Sequence, residues 1–323
     1  MKKDVKRILF ATDLHGSNTV FVKMLAMGKS IQADLIVMGG DISGKILIPI
    51  TENSGGYRLN YHGQILTLHS QSELDDVRAK IANEGNYTRM VDHEELEKMK
   101  IDQNLLNSNF QEAAEERVRE WIKIADNYLA GTGIWVLISG GNDDTQRLID
   151  AVEDSRHVVN VDQKVYSDYK PFAIVNVGFS NPTPFSTPRE VQEDILENMI
   201  DKLMNRTAVD KDHLIFNIHV PPSNTTLDLA PKVNVGPDGS LSMSLKGGEA
   251  QMVHAGSTAV RKAIEKYQPA LSLHGHIHES RAAEKIGNTL CINPGSAYTE
   301  GTLNSALINI RDDKIIGYQL PIS

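Results

Sequence analysis

The chain has 323 residues, enough for one large domain or two small ones, and its single cysteine, Cys291, excludes an intrachain disulfide. An apolar share of 40% and a charged share of 23% are those of a globular protein, and no run approaches the roughly 20 apolar residues of a membrane span. The net charge of −9, with no basic patch, disfavours bulk nucleic-acid binding but leaves room for a small phosphate ester if metal ions supply positive charge.

The N-terminus, Met1 to Arg7, is basic, but the apolar run after it breaks at Thr12-Asp13, too early for a signal-peptide core. With the lone cysteine, this points to a cytoplasmic protein. Arg7 to Ala11 reads as a strand and is followed by a helix with Val20, Phe21, Met24 and Leu25 on one face. Leu35 to Met38 is a second strand. A long helix comes much later, with Phe110, Ala114, Val118, Trp121, Ala125 and Tyr128 at steps of three or four. Ile134–Ile138, Phe172–Val177 and Leu214–Ile218 are further strands. Nearly continuous apolar strands separated by helices imply an α/β sheet (α+β by some schemes) covered on both faces. The late segments Leu290–Ile292, Ala306–Ile310 and Lys314–Tyr318 have no helix between them, and Arg311-Asp312-Asp313 joins the last two as a hairpin.

Three stretches depart from this alternation within what reads as one domain, 1–323. Residues 44–104 look like an insertion, with a hairpin from Tyr57 to Leu68 around His62-Gly63 and helices over Ser72–Ala82 and Asp92–Lys100. Asn181 to Pro188 is irregular and precedes a helix with Val191, Ile195, Met199 and Leu203 on its apolar face. Pro221 to Gly248 is rich in Pro, Gly, Ser and Asn. Such stretches read either as excursions over a site, including lids, or as plain surface elaboration.

Side chains that bind metals gather just after the strands. Asp13 and His15 follow the first, Asp41 of Gly39-Gly40-Asp41 the second, and Asn142 of Gly140-Gly141-Asn142 the third. His219 follows a later strand, and His276 and His278 sit in Gly275-His276-Ile277-His278. In extended backbone the i, i+2 pairs face one side, and open parallel sheets form sites at the carboxyl ends of their strands. Singly, these motifs are a surface pair, a turn, a helix cap beginning near Thr145, and a core histidine. Together and in this order they read as a metal centre. Two aspartates, one asparagine and four histidines, without a thiolate, suit divalent Mn, Fe, Zn, Ni or Co. They are too many for one tetrahedral ion and suit two ions sharing a carboxylate.

Asp13-x-His15, Gly40-Asp41, Gly141-Asn142-Asp143-Asp144, His219 and Gly275-His276-x-His278 resemble the five motif blocks of the calcineurin-like metallophosphoesterase superfamily. The chain looks similar to small stand-alone prokaryotic members, and Asn293-Pro294-Gly295-Ser296 resembles a block of their phosphodiesterase-like representatives. The resemblance implies a four-layer αββα sandwich of mixed sheets. It implies two ions, Mn favoured, with a bridging hydroxide that attacks the phosphorus of a phosphate ester. One ion would take Asp13, His15, Asp41 and His278; the other would take Asp41, Asn142, His219 and His276. Asn142 and His219 would also orient the ester.

The superfamily has Gly-Asn-His at its third block, and this chain has Asp143 where that histidine, the candidate general acid, would stand. A carboxylate beside two dications stays ionised and protonates a leaving alkoxide poorly. Asp143 therefore fixes Asn142 or the helix start, or holds a water that acts instead, or belongs to an enzyme for esters needing little leaving-group protonation. The last favours a phosphodiester. The alternatives are a phosphomonoesterase or nucleotide phosphatase and a metal-bound, non-catalytic scaffold. An amidohydrolase would place His-x-His early and end a strand in lysine, which this chain does not. His274 and Asp144 read as supports for the ligands. Arg281 and the Gly16-Ser17-Asn18 turn are weighed as anion contacts against an ordinary surface arginine and a helix cap. The oligomeric state is left open.

Overall fold

The computed structural model describes residues 5–323; Met1–Asp4, part of the basic N-terminal run, lies outside them. Two six-stranded sheets form the centre. One runs Lys314–Gln319, Ala306–Arg311, Lys6–Ala11, Leu35–Met38, Trp135–Ile138, Val158–Asn160. Its last four strands are parallel, and Ala306–Arg311 joins Lys6–Ala11 antiparallel. The other runs Ala282–Ile286, Thr289–Asn293, Leu271–Leu273, Leu214–Ile218, Ala173–Val177, Val165–Tyr166, with four parallel inner strands and antiparallel edges.

Strand alternation divides the apolar side chains among three interfaces. Ile8, Phe10, Leu35 and Val37 point from the first sheet onto Ile174, Ile215, Leu271 and Ile292 of the second. Their neighbours Leu9, Ala11, Ile36 and Met38 point the other way, onto Phe21, Leu25, Val118 and Trp121. Those four belong to the helices Asn18–Ser30 and Gln103–Tyr128, whose Phe21 and Trp121 rings stack at 4.3 Å. On the far side, Val175, Val177, Phe216 and Ile218 cover Leu196, Ile200, Val260 and Ile264 of the helices Glu193–Met204 and Thr258–Tyr267. The result is the expected αββα order. Each large side chain buried this way contributes about 1.5–3 kcal/mol, which is why the strands read as unbroken apolar runs. Among the described residues no helix is long and apolar enough to cross a membrane.

Two of the departing stretches hold more structure than the sequence pattern gives. Within 44–104 the hairpin at Gly56–Tyr61 and Gln64–Leu68 is present, but Leu47–Asn53 and Tyr87–Val91 are strands too, and the four form a sheet. That sheet has its own core of Ile48, Ile50, Leu59, Leu68, Leu74 and Ile81. The Pro221–Gly248 stretch carries short strands at Leu229–Pro231, Val233–Val235, Leu241–Met243 and Leu245–Lys246. Runs of two or three residues show no periodicity against Pro and Gly, so the composition hid them.

Candidate metal centre

The loops after Lys6–Ala11 and Leu35–Met38 are zipped together by backbone bonds from Asp13 N to Gly40 O (3.0 Å), His15 N to Asp41 O (3.0 Å) and Gly16 N to Ile42 O (2.8 Å). Asp13, His15, Asp41 and His276 all adopt left-handed backbone, with φ of 54°, 41°, 49° and 67°. Non-glycine residues hold that region at a price of roughly 1–3 kcal/mol each, and only where surrounding structure fixes them. The i, i+2 pairs therefore do not converge through strand alternation, as the spacing implied. Their side chains converge through left-handed turns just past the strand ends. Two glycines allow the approach: a Cβ on Gly141 would overlap the Asp41 carboxylate, and one on Gly275 would overlap Thr12 and Asp13.

Asp13, His15, Asp41 and His278 bring four donor atoms within 4.8 Å of one another. His15 Nδ1 faces Ser43 O at 3.0 Å, which leaves Nε2 toward His278 Nε2 (3.1 Å) and Asp41 Oδ2 (3.6 Å). His278 Nε2 lies 3.4 Å from Asp13 Oδ1. A second convergence forms on Asn142. Its Oδ1 lies 2.6 Å from His276 Nδ1 and 3.0 Å from His219 Nε2, and His219 Nε2 is 3.4 Å from Asp41 Oδ1. His219 Nδ1 is held by Gly39 O at 3.0 Å. The Asn142 amide donates from Nδ2 to Thr187 Oγ1 (2.9 Å), and Thr187 donates to Glu190 (2.8 Å), so the amide oxygen is turned to the histidines. All seven candidate ligands are thus brought together.

Burial and the neighbouring charges set the electrostatics of the cluster. Burial alone would raise the Asp13 carboxyl, but His219 and His278 hold it down at about 2. Asp41 is likewise lowered, burial being outweighed mainly by His219. Burial opposes the His219 charge, yet Asp41 and Asp13 lift it to about 9. Burial takes His15 down to about 3 and His276 to about 4. His219, joined by His278 at Asp13, is the positive group that faces the two carboxylates.

The supporting residues are also placed. Asp144 accepts from the backbone of Ile42 (3.1 Å), Ser43 (2.7 Å) and Gly141 (2.7 Å), pinning two ligand loops together. Burial and the Asp41 charge push its carboxyl up to about 7. His274 does not reach the cluster; its Nδ1 meets Ile218 O and Val220 O at 2.8 and 3.1 Å, steadying the chain on either side of His219. Asn293 donates to Gly275 O (3.1 Å) and Ile277 O (3.0 Å), and Ser296 Oγ to Asp13 O (2.7 Å), so the Asn293–Ser296 turn fixes the His-x-His loop. Arg281 spends its guanidinium on Leu320 O. Ser17 caps its helix, accepting from Val20 N. Gly16 N is bonded to Ile42 O, so neither anion reading gains support. His62, His157 and His254 are paired with Glu84, Ile134 O and Asp228.

A cavity of about 500 Å3 opens over the cluster, with Pro184, Phe185, Pro231, Val233 and Met243 in its walls. Both Asn181–Pro188 and the Pro221–Gly248 excursion therefore border the site, while 44–104 sends only Lys45 to it. Lys45, paired with Asp143, and the orienting Thr187 were not singled out by sequence. A lone lysine and a threonine among prolines carry no spacing signal. The buried Arg189–Asp162 pair (2.7 Å), whose Asp162 also accepts from Gly140 N (3.0 Å), was missed for the same reason.

A family model described as calcineurin-like phosphoesterase matches residues 6–280. A Methanocaldococcus jannaschii protein described as uncharacterised is 35% identical over 161 residues, 49% of this chain and 63% of that relative, so the match spans less than two thirds of its length. Two crystal structures align over 99% of this chain and of their own, with TM-scores of 0.58 and 0.55 at 14% and 13% identity; the second is of a Thermus thermophilus protein. At such identity these two likenesses concern the fold.

Proposed function

This chain belongs to the calcineurin-like phosphoesterase family, and we propose that within it the protein is a metal-dependent phosphodiesterase with a two-ion centre, Mn²⁺ being the favoured ion. The Asp41 carboxylate carries the reading. One of its oxygens faces His15 (3.6 Å) and the other faces His219 (3.4 Å), so a single side chain stands between two donor groups. Imidazole nitrogens, carboxylates and one amide oxygen, with no thiolate, fit divalent ions of intermediate softness. Held there, two such ions would supply Lewis acidity and lower the pKa of a water toward neutrality.

The chain's own groups set the rest. Asn142 and His219, each anchored on its far side, would orient the ester. At Asp143 the side chain is an acceptor where the family's histidine would donate, which supports esters whose leaving group needs little protonation. The cavity walls supply apolar surface for an organic substituent beyond the phosphate. The test pairs bis-(p-nitrophenyl) phosphate with alkyl phosphomonoesters, using purified protein and Mn²⁺. A higher kcat/KM on the diester is expected. Strong monoester preference would overturn the diester reading in favour of a phosphomonoesterase, and bound metal without turnover on any ester would favour a scaffold.

A further inference from the structure

We infer that Lys45 supplies the positive charge missing at position 143, its ammonium binding a non-bridging oxygen of the substrate phosphate while Asp143 positions it; the inference rests on the phosphodiesterase reading. Lys45 Nζ is ion-paired with Asp143 Oδ2. The same carboxyl oxygen lies 3.8 Å from His15 Nδ1, and the Asp143 backbone N–H donates to Asp41 Oδ1 at 3.0 Å. Asp143 therefore ties Lys45 to the shared carboxylate. The lysine backbone is steadied as well, since the preceding Gly44 N–H donates to Tyr87 OH (2.7 Å) and Ser43 N–H to Asp144 (2.7 Å).

What remains free on this side chain is what a phosphate needs. An ammonium has three N–H donors, and Asp143 is the hydrogen-bond acceptor that Lys45 Nζ meets among the described residues. Its side chain is 45% exposed and borders the cavity over the cluster. It also borders a neighbouring cavity of about 590 Å3 that holds Asn107, Gln111 and Arg147. The Lys45–Asp143 pair is thus a shared wall, where a diester phosphate at the cluster would have a substituent on either side. Arg147, in the wall of the neighbouring cavity, is committed to Glu115. Lys98, exposed on the helix His93–Ile101 and paired with Glu94, borders neither cavity and serves as the control.

The experiment measures KM and kcat for bis-(p-nitrophenyl) phosphate with Mn²⁺, and binding of dimethyl phosphate by calorimetry, in Lys45→Ala, Lys45→Arg, Asp143→Asn, Lys98→Ala and the double variant Lys45→Ala/Asp143→Asn. Losing a hydrogen bond to a charged group is worth about 10–100-fold. Lys45→Ala should raise KM and the dimethyl phosphate Kd by that factor with metal content unchanged. Lys45→Arg should restore most of it, and Lys98→Ala should change little. Asp143→Asn should weaken binding in the same sense, and the double variant should be no worse than Lys45→Ala. Unchanged KM and Kd in Lys45→Ala, or additive losses in the double variant, would overturn the assignment. If wild-type protein turns over no ester, the phosphodiesterase reading fails alone, and the dimethyl phosphate Kd still decides the role of Lys45.

Discussion

The two donor groups that meet at Asp41 differ in charge and in how they are held. On one side stand two carboxylates and two imidazoles, with donor atoms drawn within 4.8 Å. Their loops are zipped by main-chain bonds between the first two strand ends. On the other side stand two imidazoles that share the oxygen of a neutral amide, and one of them, His219, faces an oxygen of Asp41. Here the amide is aimed by Thr187 and Glu190, from a stretch with no regular pairing to the sheets. Coulomb attraction for a dication grows with the anionic charge it meets. The carboxylate-rich side should therefore bind the tighter ion, and the amide side should empty first under a chelator.

The most damaging test of that contrast is Asp41→Ala, which removes the group common to both sides. Several kcal/mol of transition-state stabilisation should vanish, at least about 10³-fold in kcat, and metal analysis should find both ions lost or weakened. An Asp41→Ala protein that keeps two ions would break the account of a shared ligand. His278→Ala and His276→Ala sharpen the contrast. The first should empty the carboxylate-rich side and the second the amide side, each leaving about one ion per chain. If the two variants lose the same ion, the division between the sides is wrong. Thr187→Val probes the support alone. Loss of an orienting partner of this kind costs about 10–100-fold in metal affinity or activity, and it should fall on the amide side only.

The smallest effect is on the pH dependence of stability without metal. His15, His276 and His274 are pushed by burial to about 3, 4 and 4, below the ordinary 6.5. Unfolded, they take protons below pH 6.5, while the native chain keeps them neutral, so stability is full above that pH and is lost as pH falls toward 4. His219 has the opposite sign, since burial is outweighed by Asp41 and Asp13 and its value lies at about 9. Its contribution is full below pH 6.5 and is lost as pH rises through 9. Scanning calorimetry in chelator should therefore show the highest Tm near pH 6.5, with a steeper fall on the acid side than toward pH 9. A Tm that keeps rising below pH 6 would contradict the buried neutral histidines.

The donor residues were legible because each lies within a few residues of an apolar strand, and because local spacing survives folding. The layers were legible because runs such as Ile8–Ala11 are apolar at every position, which only a sheet covered on both faces permits. What escaped depends on long-range neighbours. Lys45 acquires meaning only when the third strand-end loop brings Asp143 beside it, 98 positions on. Thr187 matters only through Asn142, 45 positions away. The short strands of the Pro221–Gly248 excursion bury little, with Val235, Leu241 and Met243 exposed, so no apolar pattern marks them. The left-handed backbone at Asp13, His15, Asp41 and His276 is one that Asp and His tolerate better than most residues, but the packing of the loops selects it.

The central claim is that Asp41 stands between two ions, and the number of Mn²⁺ ions bound per chain at full activity tests it most directly. The account predicts two, with activity toward bis-(p-nitrophenyl) phosphate reaching its plateau only as the second binds. Full activity at one ion per chain would contradict it.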